Sequence, residues 1–163
     1  MAVVNTTTTS IASADAAGSK FARMGEPEVV FVGVAELANG DSIGSTVRLV
    51  RVPSNLRVTS VDLSSDAITT CTADVGAYEI AANGSAVVDA DEFGSAVSLA
   101  TAQDKTNVLN EADPTDISKA GQPLWQRLGL SADPGKAYDI ALTLTAAAGS
   151  AGTVKLVVKG YTA

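Results

Sequence analysis

Histidine is absent from this chain of 163 residues, and cysteine occurs once. Without histidine there is no imidazole base, no Ser-His or Cys-His pair and no imidazole ligand for zinc. Carboxylate pairs and lysine remain open to an enzyme, so this absence narrows the chemistry without abolishing it. The lone Cys71 rules out an internal disulfide and any multi-cysteine metal site. In Thr70-Cys71-Thr72 it reads as a small buried strand residue. Aromatics make up 4% of the chain: three Tyr, three Phe and one Trp. A carbohydrate-binding sandwich ordinarily displays several exposed aromatics, and this chain has few to spare. With hydrophobic content at 46% and so few rings, the expectation is a thin core of Ala and Val spread along strands. No stretch approaches the ~20 apolar residues of a membrane span. Met1-Ala2-Val3-Val4-Asn5 and the four threonines after it lack the basic and apolar regions of a secretory signal. A reducing cytoplasm and no membrane partner are expected.

Basic charge is scarce too, and unevenly placed. The net charge is −7, which argues against a nucleic-acid partner, since that needs a basic footprint. Ser42 to Val61 holds Arg48, Arg51 and Arg57 and no acid, whereas Asp62 to Asp116 holds eleven acids and only Lys105 as a base. An acidic middle beside a basic strand pair suits contact with another protein surface. The cluster Asp89-Ala90-Asp91-Glu92 lacks the glycine and spaced glutamate of an EF-hand loop and reads as a solvated acidic turn. Gly149-Ser150-Ala151-Gly152 has no following Gly-Lys-Ser/Thr, so it is no phosphate loop. No catalytic residue, metal ligand or cofactor site emerges, and an enzyme is not expected.

What the chain does have is alternation. Tyr138, Ile140, Leu142 and Leu144 fall on alternate positions, and after a small-residue connector Val154, Leu156 and Val158 resume the pattern. A period of two marks half-buried strands, and the connector suits an antiparallel return as a final hairpin. Glu28 to Leu37 is a near-continuous apolar run in which Gly33 suggests a bulge or a close backbone approach. Ser45 to Val52 and Leu56 to Leu63 follow, separated by Pro53-Ser54-Asn55, with a phase slip at Ser60-Val61 that predicts a bulge. On the first of these, Val47, Leu49 and Arg51 are assigned one face and Arg48, Val50 and Val52 the other. Thr69 to Ile80 is β-rich, and Asn83-Gly84 predicts a hairpin return over Ser85 to Val88. Alternation fades between Asp89 and Gly121, and Asn107 to Asp116 reads as a long loop. Pro123 and Gly129 bracket a short helix. Residues 1–20 show no sustained period and read as a flexible arm. The expected architecture is an all-β antiparallel sandwich, with an N-terminal arm over 1–27 and one sandwich domain over 28–163. The thin core and separated charge predict a homo-oligomer, a dimer or trimer.

The segments STVRLVRVPSNLRVTSVDLSSD and DVGAYE, the Trp-containing GQPLWQRLGL, and the pair AYDIALTLT and GTVKLVVKGY occur in a familiar order. In this layout residues 28–163 are similar to the head decoration, or cement, proteins of tailed bacteriophages. The resemblance implies a jelly-roll sandwich with no catalytic residues, present in many copies. It also implies binding between capsomers of the major capsid protein on the outer surface of the virion head, after synthesis in the host cytoplasm. Arg48, Arg51, Arg57 and Trp125, with the arm, are the candidate contact residues: arginine offers planar donors to carboxylates and tryptophan anchors interfaces. A phage tail or fibre component and a carbohydrate-binding sandwich are the alternatives.

Overall fold

The computed structural model describes residues 27–162. Its eight strands are β1 (Val29–Leu37), β2 (Thr46–Pro53), β3 (Leu56–Ser65), β4 (Thr72–Glu79), β5 (Val87–Ser98), β6 (Gln103–Asn107), β7 (Ala137–Ala146) and β8 (Gly152–Thr162). Helix among the described residues is limited to two 3₁₀ turns, Ala81–Asn83 and Pro114–Lys119, and a single α-turn, α1 (Leu124–Arg127). The N-terminal arm expected over 1–27 lies, but for Pro27, outside the described residues.

The alternation works as anticipated along β8, where Val154, Leu156 and Val158 are buried and Thr153, Lys155, Val157 and Lys159 are partly open. Strand partners follow a simple rule. β1 pairs with β8, β2 with β7, β3 with β6 and β4 with β5, all antiparallel. The chain is therefore one long hairpin, doubled back at the β4–β5 turn. Two more antiparallel pairings, β3 with β8 and β4 with β7, roll that hairpin into sheets of order β1-β8-β3-β6 and β2-β7-β4-β5. This is a jelly roll.

The rolling overturns the expected final hairpin. β7 and β8 lie in different sheets, and the small residues between them cross the end of the sandwich. Gly40 N–H donates to the Ala148 carbonyl (2.8 Å), Ala148 N–H to Asp41 (3.0 Å), and Gly149 N–H to Thr69 (2.8 Å). The crossing is thus clasped by the β1–β2 and β3–β4 connections. Alternation identifies a strand and its buried face, but two strands of opposite sheets that line one core carry the same signature.

Two other stretches, and the make-up of the core, differ from their reading. Residues 89–98 belong to the twelve-residue β5, whose register with β4 breaks three times; the bulges erased the alternation. Gln103–Asn107, entirely polar, is the edge strand β6. The core is built mainly of leucine and valine. Eight leucines and nine valines stand in it against three alanines, with Phe93 and Tyr138 as its rings. The expected bulge in β3 is there, between Val58 and Ser60. At Gly33 an added Cβ would collide with the Leu49 carbonyl of β2, the close approach that the glycine suggested.

Candidate functional site

A bulge in β2 creates the one basic cluster that the arginine-rich segment forms. Register with β7 jumps from Arg48↔Ala141 to Val50↔Ile140, leaving Leu49 as the extra residue. Residues three apart, Arg48 and Arg51, therefore share the outer face of β2, contrary to the strict alternation that had set them on opposite faces. Both converge on Asp139 of β7. Arg51 Nε donates to Oδ1 at 2.7 Å and its Nη2 to Oδ2 at 3.1 Å, while Arg48 Nη1 reaches Oδ2 at 3.2 Å. Asp139 is only 4% exposed. Its hydrogen bonds from Arg51, and secondarily from Arg48, outweigh burial and hold its carboxyl below the usual carboxylate range; Asp139 in turn raises Arg51.

The two arginines differ in what they have left over. Arg48 also donates to the Glu79 carbonyl (2.7 Å) and the Ser85 carbonyl (3.0 Å), and its guanidinium lies 5.3 Å from the Tyr78 ring centre. It is consumed by the fold. Arg51 keeps 57% of its side chain exposed and borders a shallow depression lined by Leu49, Ala81 and Asp139. Arg57 is elsewhere: on β3, in the other sheet, it donates through Nη1 to the Gly121 carbonyl. Trp125 in α1 is half-buried and its backbone N–H donates to the Ser54 carbonyl at 2.9 Å. Arg48 and Arg51 are thus brought together, and Arg57 and Trp125 are not with them. The segment's basic residues lie on two sheets because β2 and β3 themselves do.

The acidic middle holds a second charged cluster, which the sequence reading missed. Glu92 of β5, taken there as part of a solvated turn, is 4% exposed and accepts from Arg127 Nε at 2.9 Å and Lys119 Nζ at 3.2 Å. Arg127 also donates to the Leu109 carbonyl at 3.2 Å and sits 5.6 Å from the Phe93 ring centre. Burial pushes the Glu92 carboxyl up despite its two cations. Asp89 is raised as well, by burial first and then by the Asp91 carboxylate, against the lowering effect of the Asp91 backbone N–H. This cluster pins the long β6–β7 connection to the sheet; the two basic residues of that connection, Lys119 at the end of the second 3₁₀ turn and Arg127 at the end of α1, were the available signal.

Little else has the geometry of chemistry. Among the described residues no group of three or more Cys, Asp or Glu is placed to hold a metal ion. Cys71 is fully buried, and burial raises its thiol. Ser54 Oγ donates to Asp133 Oδ1 at 2.5 Å, a pairing that superficially suggests an activated nucleophile. Asp133, however, is held below its usual range by that bond and by the Gly135 N–H, which makes it a poor base. The pair caps the turn into β7.

The chain is similar over 90% of its length to a chain of the solved "Cyanophage Pam1 capsid asymmetric unit", 96% of which is covered, with a TM-score of 0.58 and 16% sequence identity. The likeness is one of fold. No protein-family model and no curated protein matches the sequence. A share of 90% is too large to be confined to a single sheet.

Proposed function

We propose that this protein is a structural component of a phage head that decorates the shell by binding between capsomers of the major capsid protein. The observation that carries the reading is the near end-to-end fold likeness to a chain of a cyanophage capsid. Two features support it. The charged clusters are spent on internal pairing and offer no poised acid, base or nucleophile. None of the described aromatic residues is exposed, so no ring platform for a sugar is presented.

Decoration needs no reaction. A subunit that binds only the assembled lattice stabilises it by mass action, and many weak sites on one shell act together. Arg51, the arginine of the three that keeps a free outer surface beside its pair, is the contact residue we favour, with residues 1–20 as a second contact. Arg48 orders it and Arg57 serves the other sheet. On this reading the protein is made in the host cytoplasm and resides on the outer surface of the virion head.

The test mixes purified protein with heads assembled without it and images them by electron microscopy. Symmetric added density at capsomer seams is expected, and Arg51→Glu should reduce occupancy most at low salt. A parent protein that leaves heads bare refutes the proposal and favours a tail or fibre role. Undiminished decoration by Arg51→Glu refutes the contact assignment alone.

A further inference from the structure

The two open sheets have four edge strands, β1, β6, β2 and β5, and three of them are guarded. β6 is five residues long, wholly polar, broken in register and carries Lys105 at φ 54°. β2 has its bulge, two arginines on its outer face and a terminal proline. β5 breaks register three times and holds Ala96 at φ 50°. Such devices keep an edge from pairing with another chain. β1 has none. Its nine residues pair with β8 without a single break. Its outer face shows Val30, Val32 and Val34 at 53%, 60% and 60% exposure.

We propose that β1 is the self-association surface of this protein: two copies join edge to edge through antiparallel β1 strands about a twofold axis, extending each four-stranded sheet into one of eight. The inference rests on the homo-oligomer reading and is independent of capsid binding. An isologous contact requires that the strand complement itself. The outer face of β1 reads Glu28, Val30, Val32, Val34, Glu36. An axis through Val32 would set each Glu28 opposite the other copy's Glu36, and like charges placed directly opposite are destabilising.

An axis through Gly33, the midpoint of β1, avoids this and also overlaps all nine residues. Val32 then faces the second copy's Val34, and Val30 faces its Glu36. Lys159 of β8 lies across from Val30 on the other side. Lys159, whose Nζ also pairs with Asp62 Oδ2 at 2.9 Å, and the second copy's Glu36 thus flank Val30 from opposite sides, about 10 Å apart between strand backbones, within reach of two long side chains. The register that maximises overlap is the one that places opposite charges around the valines. An apolar centre with a charged rim of both signs is ordinary interface anatomy. β2 does not obstruct the seam, since it packs on the inner face of β1 at Gly33.

The test uses the full chain in sedimentation equilibrium at high micromolar concentration. A dimer is expected, and Val32→Lys with Val34→Lys should weaken it by at least about tenfold. Because both side chains face solvent in the monomer, far-UV circular dichroism should not change, nor should the thermal midpoint at a concentration low enough for the parent to be monomeric. A double variant, Val32→Cys with Val34→Cys, should form an intermolecular disulfide on mild oxidation, whereas Val32→Cys alone should not. A monomeric parent overturns the inference together with the self-association reading. An oligomer that the lysine pair leaves intact, or one that the cysteine pair fails to cross-link, overturns the β1 interface and leaves self-association standing. Bare heads in the decoration experiment bear on neither outcome.

Discussion

Replacing Arg127 by methionine should be among the most damaging single changes available outside the hydrophobic core. Arg127 and Glu92 have side chains 1% exposed each, joined by the 2.9 Å bond from Nε to Oε1. Methionine keeps much of the stem volume, so the principal loss is electrostatic. Glu92 then keeps only Lys119, whose side chain is 30% exposed and is shared with Asp116. The Leu109 carbonyl also loses its donor. Removing one partner of a buried pair typically costs about 3–5 kcal/mol. Against a total stability of about 5–15 kcal/mol, that is a large fraction. Urea denaturation followed by circular dichroism measures it as a fall in midpoint at unchanged slope. The deficit should also shrink on acidification. Burial already raises the Glu92 carboxyl, so the folded state holds this proton more tightly than the unfolded one. Glu92 therefore contributes less stability as pH rises from the ordinary glutamate range through its raised folded value, and without Arg127 that fall should be larger. Glu92→Gln added to Arg127→Met should recover much of the loss. A deficit below about 1 kcal/mol for Arg127→Met, or no recovery in the double variant, would refute the assignment of a dry, mutually dependent pair.

Two further changes probe local features. Ala96 sits at φ 50° and its N–H is bonded to Asp74; Ala96→Gly should raise stability by about 0.5–1 kcal/mol in the same assay, since glycine removes the left-handed penalty while adding some unfolded-state entropy. Asp139 is held below the usual carboxylate range by Arg51 and Arg48, so its contribution is present above that range and is lost as pH falls through its lower folded value. Asp139→Asn should therefore destabilise the protein at neutral pH and flatten the acid limb of its stability curve; an unchanged acid limb would show that another carboxylate governs it.

Much of this molecule was legible one strand at a time. A near-continuous apolar run located β1, alternation located β2, β3, β7 and β8, the dipeptide Asn83-Gly84 marked the turn into β5, and Pro123 with Gly129 bracketed α1. Each signal is local, because a strand's two faces repeat every two residues and a turn needs particular backbone angles at particular positions. Where bulges interrupt the repeat, the same logic fails: β5 lost its pattern and Arg48 and Arg51 were placed on opposite faces. β6 left no apolar trace because its edge position exposes nearly all of it.

The alternating residues determined that the chain would be an antiparallel sandwich, and the absent histidine narrowed the reactions open to it. Which strand lies beside which was decided in three dimensions. β7 and β8 carry matching patterns, yet they line opposite walls of one core, since apolar faces are interchangeable to the solvent they exclude. The same holds for charge. Arg48, Arg51 and Arg57 form one run in sequence, but the fold divides them between two sheets; Glu92 and Arg127, thirty-five residues apart, become a buried pair. Coulomb attraction and desolvation depend on distance and surroundings, and both are properties of the folded molecule alone.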